Sequence, residues 1–166
     1  MGTKKIFYFL VVFTFLYSLN LYIHSQKMPL KKKVNKSDLI VIGDVQDIEG
    51  GWGERMHIIF TYVTVSIEEC IKGSNIDVNI TVIFPGGTIE EEGITMETSG
   101  VTPYFKKKEK VLLFLKTVPY DKNYALVDSA YGKYPINSRN KVGNTNRSVK
   151  KLVNKIKSIM ALEEKK

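Results

Sequence analysis

Alternating apolar and polar residues predict the strands in the middle of the chain. The most regular alternation covers residues 78–84, where one face carries Val78, Ile80, Val82 and Phe84. A longer alternation covers residues 58–71 and changes phase at Glu68 and Glu69, which indicates a strand with a bulge or bend. Since a bent strand can serve two sides of a rolled-up sheet, this pattern favours a small closed barrel.

Two further segments are apolar on both faces, as in strands that are covered on both sides. They are residues 39–45 and 111–115. Weaker strand patterns cover residues 94–101, 124–127 and 132–136. The glycine-rich segment 47–53 predicts a turn, and Gly86-Gly87 predicts a second turn with positive φ angles. The middle of the chain is therefore all-β.

The last part of the chain has a helical pattern. After a polar stretch at residues 138–146, apolar residues recur at helical spacing at Val149, Leu152, Val153, Ile156, Ile159 and Met160. This predicts an amphipathic helix, within the segment 138–166, that packs on the barrel. The opposite face carries Lys150, Lys151, Lys155 and Lys157, which either contact anionic lipid or cell-wall polymer or are simply solvated. Solvation is the commoner case.

The first 25 residues have the pattern of a targeting segment. Lys4 and Lys5 precede an apolar run from Ile6 to Ile23, which is typical of a signal peptide and is also close to the length of a membrane anchor. A lysine-rich connector follows at residues 26–36. We expect the domain at residues 37–137 to be secreted or membrane-anchored, and extracytoplasmic, although the lysines beyond the run outnumber those before it.

Charge and cysteine content narrow the chemistry. The formal net charge is +8, which favours anionic surfaces. A single cysteine, Cys70, excludes an intramolecular disulfide and any multi-cysteine zinc site. Because Cys70 lies in an apolar strand pattern, we expect it to be a buried small hydrophobe. Intermolecular pairing of Cys70 is the alternative.

Several strings of residues together resemble a known module. They are Ser37 to Val45, Tyr62 to Val65, Glu68 to Gly73, Val82 to Gly87 and Val111 to Leu115. Their order is similar to that of the oligonucleotide/oligosaccharide-binding (OB) barrel of netrin-like modules and tissue inhibitors of metalloproteinases, and of uncharacterised exported bacterial domains of that type. The resemblance implies an OB-like five- to six-stranded antiparallel barrel over residues 37–136. The inhibitors bind zinc through a mature N-terminal cysteine and carry disulfides; this chain has neither.

Catalytic and metal-binding patterns are absent from the sequence. There is no Gly-x-Ser-x-Gly motif, and His57 stands at a predicted strand start, so we expect no catalytic residue and no enzyme. His57 is the only histidine outside the targeting segment, which leaves no transition-metal site. Calcium ligation by Asp44, Asp47 and Glu49, or by Glu90 to Glu92, lacks the spacing of a calcium loop. We expect no metal and no cofactor.

Exposed aromatic residues are the candidate ligand contacts. OB barrels bind ligands through one face and the adjoining loops, often by aromatic stacking. Trp52 in its glycine-rich segment is the leading candidate, and the others are Tyr62, Tyr104, Phe105 and Tyr131. Ordinary packing over a barrel end is the competing interpretation of each.

Three functional hypotheses follow from these patterns. The leading one is an exported, monomeric, non-enzymatic module that binds a protein or a cell-envelope component, and that contacts the membrane through its N-terminal segment if this segment is not cleaved. An alternative, implied by the resemblance, is a protease inhibitor acting through a loop such as Pro85 to Thr88. The third is a single-stranded nucleic-acid-binding barrel, which the predicted export disfavours.

Overall fold

The fold is mostly β, with a short helix before the strands and a longer helix at the C-terminal end. The computed structural model describes residues 27–53, 57–74, 77–98, 100–119, 122–143 and 147–163. In chain order the elements are α1 (Leu30–Lys36), β1 (Leu39–Trp52), β2 (Ile59–Lys72), β3 (Asn79–Pro85), β4 (Gly87–Ile89), β5 (Ile94–Met96), β6 (Lys110–Thr117), β7 (Tyr124–Leu126), a 3₁₀ turn (Ser129–Gly132), β8 (Lys133–Ile136) and α2 (Val149–Glu163).

Within the described residues, six strands form one sheet and β4 and β5 form a separate hairpin. The order in the sheet is β1-β2-β3-β7-β6-β8, and β1 also pairs with β6. The pairings are antiparallel except between β3 and β7, which are parallel at Val82 and Tyr124. The sheet is therefore mostly antiparallel, as predicted, and β3–β7 is the one parallel contact among the described strands.

The two-sided apolar strands β1 and β6 separate two core clusters. Val41, Val45 and Leu113 belong to one cluster, on the side that also holds the buried residues of β2 and β3. Ile42 and Phe114 point to the opposite side, where the helices pack. Because side chains alternate along a strand, a strand covered on both faces must be apolar throughout. This explains the continuous apolar runs in the sequence.

Both helices cover the second cluster. The face of α2 that contacts the sheet is formed by Leu152, Val153 and Ile156, all buried, as the helical spacing predicts. Helix α1 contributes Val34, which is 1% exposed, and packs beside α2. The lysine-rich segment 26–36 thus contains a helix with residues in the core.

Two local predictions are wrong. The glycine-rich segment is not a turn, because β1 continues through Gly50 and Gly51 to Trp52 and pairs with β2 along this length. Cys70 is exposed rather than buried.

The pairing of Ile42 with Glu69 and of Gly43 with Ile67 leaves Glu68 as an extra residue. This bulge is the one that the phase change in the sequence predicts, and it changes the face of the sheet on which the residues after Glu68 lie.

The predicted targeting segment, residues 1–25, lies outside the described residues. In the part of the chain that is described, no helix combines the length and the apolar character needed to cross a bilayer.

Candidate functional site

A cleft of about 690 Å³ opens between the second half of β1 and the β4–β5 hairpin. Its lining residues are Asp47, Ile48, Glu49, Gly50, Thr61, Thr88, Ile89, Glu90, Glu91 and Lys107. Four of these side chains are carboxylates and one is a lysine, so the cleft is acidic although the whole chain is basic. We call it the acidic cleft.

One wall of the acidic cleft is an unpaired strand edge. Strand β6 pairs with β1 only as far as Asp44. Within the described part of the chain, the last backbone hydrogen bonds on this side of β1 are those of Val45. From Gln46 to Trp52, no strand among the described residues pairs with β1 on the side away from β2. Such an edge presents backbone donors and acceptors to any extended chain that approaches it.

The other wall is the β4–β5 hairpin, and its close approach to β1 depends on Gly50. A Cβ atom at this position would lie 1.8 Å from the carbonyl oxygen of Thr88, so only glycine fits between the two walls. At the base of the hairpin, Gly86 has φ +93° and accepts a 2.7 Å hydrogen bond from the Thr61 hydroxyl. The positive φ angles predicted for Gly86 and Gly87 are confirmed.

Lys107 partly neutralises the cleft. Its ammonium group pairs with the carboxylate of Asp47, and the backbone N–H of Ile48 donates to the same carboxylate at 2.8 Å. These two donors, Lys107 first, lower the pKa of Asp47 below its ordinary 3.8. The same pair raises the pKa of Lys107 above 10.5. Both groups therefore stay charged over the whole neutral range.

Trp52 joins the end of β1 to the tip of the hairpin. Its indole N–H lies 3.2 Å from each carboxylate oxygen of Glu92, while 47% of the residue remains exposed. The hydroxyl of Tyr62 donates to the Trp52 carbonyl at 3.3 Å. Of the aromatic residues proposed as ligand contacts, Trp52 and Tyr62 are thus the two that the structure brings together. They meet at the end of β1, but neither is among the described residues that line the acidic cleft.

The remaining three candidates lie elsewhere. Tyr104 is 72% exposed, and its backbone carbonyl accepts a hydrogen bond from Lys133. Phe105 is only 6% exposed and stacks on Phe84 with ring centroids 6.0 Å apart, so the prediction of a surface contact is wrong for this residue. Tyr131 is 37% exposed and belongs to a second surface.

This second surface surrounds a cleft of about 450 Å³ near the first described residue. We call it the basic aromatic face and define it by Lys27, Tyr131, Lys133, Tyr134 and Arg147, which all line that cleft. The ammonium group of Lys27 lies 5.3 Å from the ring centroid of Tyr131 and 5.6 Å from that of Tyr134, within cation–π range. Lys133 pairs with Glu109 at 2.6 Å.

A buried ion pair lies beneath the basic aromatic face. The side chain of Lys33 is fully buried, and its ammonium group lies 3.1 Å from the carboxylate of Asp128. The same ammonium donates to the carbonyl of Tyr131 and lies 5.1 Å from the ring centroid of Tyr134. Asp128 also accepts a 3.0 Å hydrogen bond from the backbone N–H of Met28. These contacts fix the start of the domain to the 3₁₀ turn.

The sequence shows the carboxylates of the acidic cleft as two separate groups but does not predict that they form one cleft. Asp47 and Glu49 stand far from Glu90 and Glu91 in the chain, and only the packing of the hairpin on β1 brings the two groups together. Across the described ranges, no group of three or more His, Cys, Asp or Glu side chains has an arrangement that could hold a metal ion.

No family model matches this chain. No curated protein matches it either.

Proposed function

We propose that this chain is an extracytoplasmic binding module, built on an OB-like barrel, that takes an extended cationic polypeptide segment in its acidic cleft. The observation that carries the proposal is the combination of an unpaired β1 edge with carboxylates on both walls of the cleft. An exposed tryptophan at one end adds a stacking surface. The module binds its partner and performs no chemistry on it.

The strand pairings support the barrel. Following them from β1 through β2, β3, β7 and β6 leads back to β1, and this order of pairings is the one that a closed five-stranded barrel requires. The OB fold is a partly open barrel of five strands, and the sequence patterns independently resemble it. A barrel of this size has an interior filled by side chains, which agrees with the cluster around Val41, Val63 and Leu113.

The cleft chemistry supports an extended cationic ligand. Addition of a peptide strand to a sheet edge supplies backbone hydrogen bonds, and the flanking side chains select the sequence. Glu49 on β1 and Glu90 and Glu91 on the hairpin are exposed, so they can pair with lysine or arginine side chains of such a strand. The cleft volume also lies in the range of ordinary ligand sites.

The two alternatives find less support. Nucleic-acid phosphates would be repelled by the acidic cleft, which disfavours this surface as a nucleic-acid site. The segment proposed as an inhibitory loop is held close to the sheet, because the Gly86 N–H donates to the Ile59 carbonyl and the Gly86 carbonyl accepts from Thr61. Export remains part of the proposal on the strength of the basic start and the apolar run Ile6 to Ile23.

Binding of designed peptides tests the proposal. The full chain in detergent micelles is titrated into a labelled (Lys-Thr)₄ peptide, with (Glu-Thr)₄ as the opposite-charge control, and fluorescence anisotropy is recorded. The variant Glu49→Gln/Glu90→Gln should weaken binding of the lysine peptide by about three- to tenfold at low salt, as expected for exposed ion pairs. The matched variant Asp77→Asn/Glu97→Gln removes the same charge outside the cleft and should bind as the unchanged chain does.

A second peptide separates edge pairing from simple charge attraction. N-methylation of every peptide nitrogen keeps the lysines but removes the backbone donors on both edges of the peptide, so a ligand that pairs with β1 should lose most of its affinity. Equal binding of the methylated and unmethylated peptides would contradict strand addition. Equal loss of affinity in the cleft variant and the Asp77/Glu97 variant would contradict the cleft as the site.

A further inference from the structure

The described part of the chain begins beside the basic aromatic face and is firmly fixed there. The backbone N–H of Met28 donates to Asp128, and Lys33, five residues later, pairs with the same carboxylate while fully buried. The point at which the chain enters the domain is therefore set by hydrogen bonds and an ion pair. Any segment joined to Lys27 must start from this face.

The apolar run in the sequence ends close to this point. Only three residues, His24 to Gln26, separate Ile23 from Lys27, and the four Cα-to-Cα steps from residue 23 to residue 27 span at most about 14 Å in extended backbone. The polar headgroup layer on each side of a bilayer is about 5–8 Å thick. If the run Ile6 to Ile23 lies in a bilayer, the basic aromatic face is therefore held within reach of the lipid headgroups.

The chemistry of the face suits anionic headgroups. Tyrosine side chains accumulate at membrane interfaces because the ring is apolar and the hydroxyl is polar. Tyr131 and Tyr134 line the cleft together with the exposed cations Lys27 and Arg147. Of the other described lining residues, only Lys133 is charged, and it pairs with Glu109. Basic residues close to a membrane-spanning segment are attracted by anionic lipids. The acidic cleft has the opposite charge.

We propose that the basic aromatic face docks on the anionic phospholipid headgroups of the bilayer that holds the N-terminal run. This inference rests on the membrane-anchor part of the proposed function. Docking adds a second attachment to the anchor, and it fixes the orientation of the barrel relative to the membrane. The carboxylates of the acidic cleft then also keep a fixed orientation relative to the membrane, because the domain is attached at two points and not by a flexible segment alone.

A fluorescence experiment on the full chain tests the docking. The chain is made by cell-free synthesis with vesicles, in a Cys70→Ser background, and an environment-sensitive dye is attached at Ala130→Cys, which lines the basic aromatic face. Vesicles of phosphatidylcholine are compared with vesicles containing one quarter phosphatidylglycerol. We expect a blue shift of the dye only with phosphatidylglycerol, and no shift from a dye at Asp77→Cys.

Charge variants and flotation complete the test. Lys27→Ser/Arg147→Ser should lower the ratio of docked to undocked protein by about fivefold for each charge removed, whereas Lys116→Ser/Lys122→Ser should leave it unchanged. Flotation with phosphatidylcholine vesicles reports the anchor alone. Failure to float overturns the anchor and the docking together. Flotation without a lipid-dependent dye shift, or equal effects of the two double variants, overturns the docking and leaves the anchor standing.

Discussion

Two lysine–aspartate pairs show how differently the same interaction acts in two regions of this molecule. Lys33 and Asp128 meet beneath the basic aromatic face with side chains 0% and 13% exposed, whereas Lys107 and Asp47 meet in the acidic cleft with side chains 61% and 43% exposed. Water and salt screen the second pair but hardly reach the first. The buried pair therefore fixes structure, and the exposed pair adjusts the charge of a binding surface.

The largest expected effect comes from breaking the buried pair. Lys33→Met leaves the carboxylate of Asp128 without its cation, and we expect a loss of about 3–5 kcal/mol in the free energy of unfolding. Urea titration of the full chain in detergent, followed by circular dichroism, measures it. Lys31→Met is the matched control, because Lys31 pairs with Glu163 on the surface, where such pairs contribute little.

A double variant checks that the charge is the cause. Lys33→Met/Asp128→Asn removes both charges, and it should recover a substantial part of the loss because no uncompensated carboxylate remains. Stability as low as in the single variant would indicate that the shape of the lysine side chain, and not its charge, matters. In that case the contrast between the two pairs would not hold.

A medium effect is expected where the hairpin meets β1. In Gly50→Ala the new Cβ collides with the Thr88 carbonyl, and overpacking of this kind costs about 1–3 kcal/mol. Gly51→Ala is the control, since its nearest neighbour is the movable ring of Tyr62 at 3.3 Å. Equal unfolding midpoints for the two variants would show that the hairpin does not depend on Gly50 for its close approach.

The smallest effect concerns the pH dependence of the exposed pair. Since the folded-state pKa of Asp47 is lowered, the stability this pair contributes is present above pH 3.8 and is lost as the pH falls through the folded-state pKa. Lys107→Met should move the pKa of Asp47 back towards 3.8, and 0.5 M salt should act in the same direction. Carboxyl chemical shifts measured by NMR during an acid titration report both, with Lys116→Met as the control. An Asp47 pKa that is the same in all four samples would show that Lys107 does not tune the cleft.

Much of the sheet could be predicted because alternation and strand burial are local signals. The bulge at Glu68 and the apolar face of α2 follow directly from residue spacing. Trp52 and Tyr62 are two of the aromatic residues that the sequence offers as ligand contacts, and the structure brings them together at the end of β1. The prediction of a turn at the glycine-rich end of β1 is wrong because glycine is ambiguous in sequence. It also occurs inside strands where another backbone comes close, as Thr88 does at Gly50.

Other errors arose where long-range packing overrides the local pattern. Cys70 follows the bulge, which changes the face on which residues appear, so its apolar neighbours gave no reliable indication of burial. Lys33 stands in a lysine run that is typical of a solvated connector, yet it is the one fully buried lysine among the described residues. Its partner Asp128 lies in a distant part of the chain, and no pattern links the two.

The sequence by itself determined the mostly β character, the main strands, the amphipathic helix and the absence of a disulfide framework, because each depends on residue type and short-range spacing. Only the tertiary structure decided which charges meet. Folding brings Asp47 and Glu49 to Glu90 and Glu91, and Lys33 to Asp128. The physical reason is that electrostatic energy depends on distance and burial in space, and neither quantity can be read from positions along a chain.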